Sequence, residues 1–274
     1  MQLTLGYSPC PNDTFIFGAL ANGLIDTEGI DFQIILGDVE ELNRKAFAGA
    51  ADVTKLSYHA YAHLTHRYNL LHAGSALGNN CGPLLIARQP LDAEAVNAAR
   101  IAIPGEMTTA NFLLSLAWPQ AQNKEAVLFS EIEDRVLSGE FDAGLIIHEN
   151  RFTYQQKGLV KLMDLGEYWE STTRHPIPLG GIVIRKDIPQ DIQQTVNRLV
   201  RKSVEYAFAH PEAVMPYIRC HAQAMEDEVM QAHIRLYVND YTIDLGKKGR
   251  EAVIRMFQMA AERGLIGDYS LAFV

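Results

Sequence analysis

Cysteine is scarce in this 274-residue chain: Cys10, Cys81 and Cys220 are widely separated, odd in number and form no Cys-x-x-Cys pair. That excludes a disulfide framework and a cysteine zinc site, so the three read as reduced thiols. Cys10, in a loop, reads as a small buried hydrophobe. Basic charge is also in deficit, with 24 Lys and Arg against 33 Asp and Glu and a formal net charge of −9. A general nucleic-acid or anionic-membrane surface needs clustered Lys and Arg and is therefore excluded. No uninterrupted apolar run approaches the roughly 18 to 20 residues of a membrane span. The opening residues, Met1 to Ser8, lack the basic start and apolar core of a secretory signal, and a cytoplasmic location is expected. Gly-x-Gly-x-x-Gly and Walker patterns are missing, which argues against a nucleotide cofactor. The absence of Gly-x-Ser-x-Gly removes the usual α/β-hydrolase reading.

What is present is an average globular composition, 48% apolar and 21% charged, at a length that allows one large α/β domain or two smaller ones. Apolar runs predict strands over residues 3–7, 31–36, 52–56, 68–76, 83–87, 100–104, 126–129, 143–147, 159–165 and 181–185. Helices are expected between them, including 13–21 capped by Asn12 or Asp13, one opening at 57–61, one opening at Thr108, and 131–139 with Ser130 as cap and Glu133 at the capping-box position. Beyond about residue 189 the apolar residues recur at three and four, predicting helices over 189–209, 211–221, 227–237 and 247–263. Strands alternating with helices imply a largely parallel sheet. Small and polar residues cluster at 77–82 and a proline-rich stretch lies at 174–178. These mark two crossings between lobes, with a ligand cleft expected between the lobes.

The stretch Asp142 to Arg151 carries the sharpest signal. Its apolar run stops at His148, which places an imidazole at the carboxyl end of a buried strand, where open α/β sheets bind ligands. Histidine transfers protons in either direction near neutral pH, so His148 is the candidate general base. A histidine that caps the strand or bonds a loop carbonyl fits the same position. Three further loops follow a strand and open a helix beside a hydroxyl: Ser8 to Asp13 (with Ser8, Asn12 and Asp13 as candidate pocket residues), Lys55 to Tyr58, and Met107 to Ala110. Helix starts favour carboxylates through unpaired N–H groups and the helix dipole, and together the loops suit a small anionic ligand, with Lys55 as the nearby cation. Ordinary capping accounts for any one of them alone. His59 and His63 are four apart on one predicted helix, but Ala60 stands where a His-Glu-x-x-His motif needs glutamate, so no metal is expected. The acidic clusters Glu131, Glu133, Asp134 and Glu226, Asp227, Glu228 read as dipole and solvation features of helix starts.

Gly6-Tyr-Ser-Pro-Cys-Pro-Asn-Asp-Thr-Phe-Ile-Phe17, Thr54-Lys-Leu-Ser-Tyr58, Gly105 through Phe112, Gly144-Leu-Ile-Ile-His-Glu-Asn-Arg-Phe-Thr-Tyr154 and Pro178-Leu-Gly-Gly181 together resemble the 1,4-dihydroxy-6-naphthoate synthase family of the futalosine route to menaquinone. The similarity covers nearly the whole chain. It implies a type II periplasmic-binding-protein-like fold, with lobe one formed by residues 1–87 and 181–274 and lobe two by 88–180. It implies a lyase that cleaves cyclic dehypoxanthine futalosine to 1,4-dihydroxy-6-naphthoate and a dihydroxyacetone fragment, without metal or organic cofactor. By the same resemblance, His148 is the base and Lys55, Leu56, Ser57, Thr108 and Thr109 contact the substrate. Chorismate dehydratase of the same pathway and a non-catalytic small-carboxylate-binding protein are the alternatives. The only partner implied is a small-molecule carboxylate.

Overall fold

The computed structural model describes residues 1–148, 150–222 and 226–274. Glu149, part of the His148 motif, lies outside them. The chain forms two compact units, Met1–Gly78 with Pro178–Val274, and Asn79–Ile177.

The first unit contains β1 (Gln2–Tyr7), α1 (Pro11–Ala21), β2 (Asp31–Leu36), α2 (Val39–Phe47), β3 (Val53–Ser57), α3 (Tyr58–Leu64), β4 (Tyr68–Leu70) and β5 (Ala76–Gly78). The second contains β6 (Leu84–Ala87), α4 (Ala93–Ala98), β7 (Ile101–Ile103), α5 (Thr109–Ala117), β8 (Lys124–Ala126), α6 (Ile132–Leu137), β9 (Ala143–Ile146), α7 (Asn150–Thr153), β10 (Val160–Asp164) and α8 (Leu165–Thr173). The chain then returns through β11 (Ile177–Arg185) to α9 (Gln190–Ala209), α10 (Pro211–His221), α11 (Asp227–Tyr237), α12 (Asp240–Ile243) and α13 (Gly246–Glu262).

Among the described residues, the first unit's sheet runs β2-β1-β3-β11-β4, with β5 also on β11, and the second unit's runs β10-β6-β9-β7-β8. Both are mixed, which corrects the expected largely parallel sheet. β1 is parallel to β2 and β3, and β7 to β8 and β9, whereas β11 is antiparallel to β3 and β4, and β6 to β9 and β10. The parallel pairs are joined by helical crossovers, as parallel strands require. β6 and β11 are the strands next to the two crossings; their direction is set by where the chain enters, and an apolar run carries no record of direction.

Packing explains why α1 is apolar on every side beyond its first turn. Phe15, Ile16, Phe17, Ala19 and Leu20 are all buried, in one core with Leu5 and Tyr7 of β1, Val200 and Val204 of α9, and Val214 and Ile218 of α10. A helix covered on every side has no polar face. Ser203 of α9 ties it further, its hydroxyl donating to the Ile16 carbonyl at 2.6 Å and accepting the Leu20 N–H at 3.2 Å. The second unit's core gathers Leu84, Ile86, Ala102, Phe129, Ile132, Val136, Phe141 and Ile146.

Several local expectations change. α1 begins at Pro11 with Cys10 as its N-cap residue, so Asn12 and Asp13 sit inside the first turn; proline at the first helical position loses no bond there. The single strand expected over 68–76 is two short ones, parted by a turn in which Gly74 has φ 86°. Ser130 caps nothing: it lies within a 3-10 turn, Phe129–Glu131, that leads into α6. Cys10 and Cys81 are buried and Cys220 is exposed, and none of the three is in a disulfide. Burial pushes the Cys81 thiol up to about 12. Among the described residues no helix is long and apolar enough to cross a membrane.

Candidate functional site

In the first unit, β1 leads through α1 to β2 on one side of it, and α2 leads back to β3 on the other. The order reverses between β1 and β3, and beyond the carboxyl ends of such a pair the two outgoing loops diverge and leave a crevice. Ser8 to Asp13 leave β1 there, and Lys55, Leu56 and Ser57 end β3.

The end of β3 and the first turn of α1 are joined by a buried ion pair. Lys55 Nζ lies 2.7 Å from Asp13 Oδ1, with the side chains 8% and 2% exposed. Asp13 is otherwise saturated: Oδ1 also accepts Asn12 Nδ2–H at 2.8 Å, and Oδ2 accepts the Ser8 N–H at 3.1 Å and the Ser8 hydroxyl at 2.8 Å. The loop's first hydroxyl and its cation therefore both meet the protein's own carboxylate. Ser57 is fixed by Asn43 of α2, which accepts the Ser57 N–H at 3.1 Å and donates to its hydroxyl at 3.3 Å. Beneath the loop, Tyr7 and Tyr217 share a 2.5 Å hydrogen bond, and burial together with that bond pushes the Tyr7 hydroxyl far above its ordinary range.

Lys55 to Ser57 also depend on the bare backbone of β11. Gly180 stands opposite Ser57 and Gly181 opposite Leu56. A Cβ on Gly180 would fall 2.8 Å from the Leu56 carbonyl oxygen and 3.2 Å from Lys55 Cε. Gly180→Ala must therefore push β11 from β3 or displace Lys55. The expected cost is about 1–3 kcal/mol, typical of overpacking, read as a lower denaturant midpoint; an unshifted midpoint would contradict this close approach.

The second unit repeats the arrangement. β7 leads through α5 to β8 on one side, and α6 leads back to β9 on the other, so the order reverses between β7 and β9. Gly105 to Thr109 leave the carboxyl end of β7, and Ile147 and His148 leave that of β9. Thr108 caps α5 as expected, accepting the Asn111 N–H at 3.2 Å and donating to the Gly105 carbonyl at 2.8 Å. Thr109 is buried in the first turn.

His148 sits one residue further from its strand than the apolar run implied, because β9 ends at Ile146. It is half-buried, in a turn with left-handed backbone (φ 57°), and its ring meets Phe129 edge to face at 5.1 Å. A left-handed conformation costs a non-glycine residue about 1–2 kcal/mol. Strong anchors follow the turn. Asn150 Nδ2 donates to Glu133 Oε2 at 2.6 Å, and Lys157 Nζ reaches the same oxygen at 2.8 Å. Arg151 donates to the Gly82 carbonyl and to Asp164 Oδ2, each at 2.6 Å. Glu133 is thus no solvated helix-start charge: it is 1% exposed and holds the segment just after His148.

His59 and His63 meet edge to face at 5.3 Å, and burial lowers the pKa of His63. His72 stacks instead on Phe273 at 5.6 Å. Asn43, Glu133 as an anchor, and His233, which contacts Asn12, escaped the sequence reading. The available signal was a polar residue on a buried helical stripe: Asn43 beside Leu42 and Ala46, His233 between Met230 and Tyr237.

Solved structures resembling this one define the class. A crystal structure of a protein from Archaeoglobus fulgidus matches with a TM-score of 0.90 at 34% identity, over 97% of this chain and 98% of that one. The alkanesulfonate-binding protein SsuA from Xanthomonas axonopodis pv. citri, bound to MOPS, matches at 0.71 and 11% identity, over 99% and 96%. A Candida albicans protein described as having the generic periplasmic binding protein fold matches at 0.69 and 13%, over 98% and 92%. The fold is therefore α/β and periplasmic-binding-protein-like.

Residues 3–262 match the menaquinone biosynthesis family model. The chain is 48% identical over 263 residues to the 1,4-dihydroxy-6-naphthoate synthase of Thermus thermophilus, covering 96% of this chain and 95% of that protein. It is 42% identical to the enzyme of that name from Streptomyces coelicolor, over 99% and 98%. The chain belongs to this menaquinone biosynthesis family.

Proposed function

We propose that the protein is a 1,4-dihydroxy-6-naphthoate synthase, a carbon–carbon lyase of the cytoplasm that converts cyclic dehypoxanthine futalosine to 1,4-dihydroxy-6-naphthoate with release of dihydroxyacetone. His148 is the general base. Lys55, Leu56, Ser57, Thr108 and Thr109 contact the substrate, with Ser8, Asn12 and Asp13 framing the pocket of the first unit. The observation that carries the reading is the placement of His148: a half-buried imidazole in a left-handed turn beyond the carboxyl end of β9, next to the strand whose loop ends at Thr108 and Thr109. Non-glycine residues held in that conformation concentrate at functional sites.

The chemistry asks for little else. A proton beside a carbonyl is removed by a base poised near neutrality, and the negative charge that develops on oxygen is stabilised by hydroxyl and backbone N–H donors fixed in advance. Bond cleavage is then drawn forward by aromatisation of the product ring. Neither step calls for a metal or an organic cofactor. Incubation with cyclic dehypoxanthine futalosine should yield dihydroxynaphthoate fluorescence and stoichiometric dihydroxyacetone. Consumption of chorismate instead would move the assignment to chorismate dehydratase, and binding without any product would make the protein a carboxylate carrier.

Ser57→Ala and Thr109→Ala should each raise KM about three- to tenfold with kcat little changed, the expected loss of one neutral hydrogen bond. Parental KM values in both variants would remove these hydroxyls from the site.

A further inference from the structure

α11 carries a histidine on its buried face. His233 has no exposed surface (0%) and lies among Met230, Ile234 and Tyr237 of the same helix. A buried imidazole in such surroundings is costly unless hydrogen-bonded, and its Nε2 lies 2.9 Å from Asn12 Oδ1. The direction of that bond follows from the groups beyond it. Asp13 as a carboxylate only accepts, so the end of the Asn12 amide facing Asp13 Oδ1 at 2.8 Å is the NH2 group. The end facing His233 is then the carbonyl oxygen, and Nε2 of His233 bears the hydrogen. The same Asp13 oxygen receives Lys55 Nζ at 2.7 Å.

Resting on the reading of Lys55 and Ser57 as substrate contacts, we propose that His233 is a positioning residue of that site, holding Lys55 in place through Asn12 and Asp13. Ser8 pins one oxygen of Asp13 with two donors, while the other is shared by Asn12 and Lys55. Of the two Asp13 oxygens, the second is the one Lys55 uses, and the Asn12 amide beside it can turn about its terminal torsion. His233 stops that rotation. Without a donor at Nε2, the Asn12 amide can turn its oxygen toward Asp13, and mutual repulsion would shift the carboxylate and Lys55 with it. His233 touches no reacting atom in this scheme, and its effect falls on substrate binding.

The test compares two variants. Leucine at this position keeps much of the volume without a donor, whereas the side-chain amide of glutamine places an N–H near the position of Nε2. H233L should raise KM for cyclic dehypoxanthine futalosine about tenfold with kcat within about threefold, and H233Q should return KM to within about threefold of the parent. A parental KM in H233L, or equal impairment in the two variants, would overturn the proposal. Long-range 1H–15N spectra of the parent protein near pH 7 provide a readout free of substrate, with His233 identified as the signal H233Q lacks. A proton on Nε2 is expected, and a bare Nε2 overturns the proposal even if H233L does not fold. A parent protein inactive on cyclic dehypoxanthine futalosine would end the reaction assignment, and the spectra would still decide the His233–Asn12 bond.

Discussion

His148→Ala should lower turnover at least about a thousandfold, within the range lost when a positioned acid–base group is removed, while the protein stays folded and still binds substrate. The His148 ring meets Phe129 edge to face, and the segment after it is held by Asn150–Glu133 and Arg151–Asp164, neither of which needs the imidazole. His148→Gly should be equally inactive but more stable than His148→Ala by about 1 kcal/mol, because only glycine adopts φ 57° without penalty. Single-turnover assays and denaturant midpoints read both effects. An alanine variant that keeps a tenth of parental turnover would remove His148 as the base. Equal midpoints for the alanine and glycine variants would deny that the turn is strained.

Lys55→Met should destabilise the first unit by about 3–5 kcal/mol, the cost of leaving one member of a buried ion pair without its partner. Asp13 would keep three donors, from Ser8 and Asn12, but none carries charge. The pair is almost dehydrated, so the loss should persist in high salt, unlike that of an exposed pair such as Arg100–Glu125. Lys55→Met combined with Asp13→Leu should cost less than the sum of the two single changes, since no charge is then left buried. Guanidinium unfolding midpoints provide the measurement. A loss under about 1 kcal/mol for Lys55→Met would mean that water screens the pair as it does on a surface.

Both predictions would weaken the protein's activity, for different reasons. The first change takes away the proposed base and leaves its surroundings intact. Lys55 is removed from a network that also shapes the first turn of α1, so its loss changes the loop as well as the charge.

The sequence by itself determined the type of most elements and the location of the strand-end histidine. Runs such as Ala143 to Ile147 and the three- and four-residue spacing beyond residue 189 report which residues are buried, and burial follows from local pattern. Thr108 was legible as a cap because capping acts within one helical turn. Only the tertiary structure decided what these residues touch. Lys55 and Asp13 are 42 positions apart, and Asn12 and His233 are 221 apart; no periodicity records such a pairing. The direction of β6 and β11 and the bare backbone that Gly180 presents to Lys55 belong to the same class. So does the inward turn of Glu133, which a helix-start pattern presents as a solvated charge. A local pattern records how much water a side chain loses, whereas its hydrogen-bond partner is set by whichever distant strand or helix the fold packs against it.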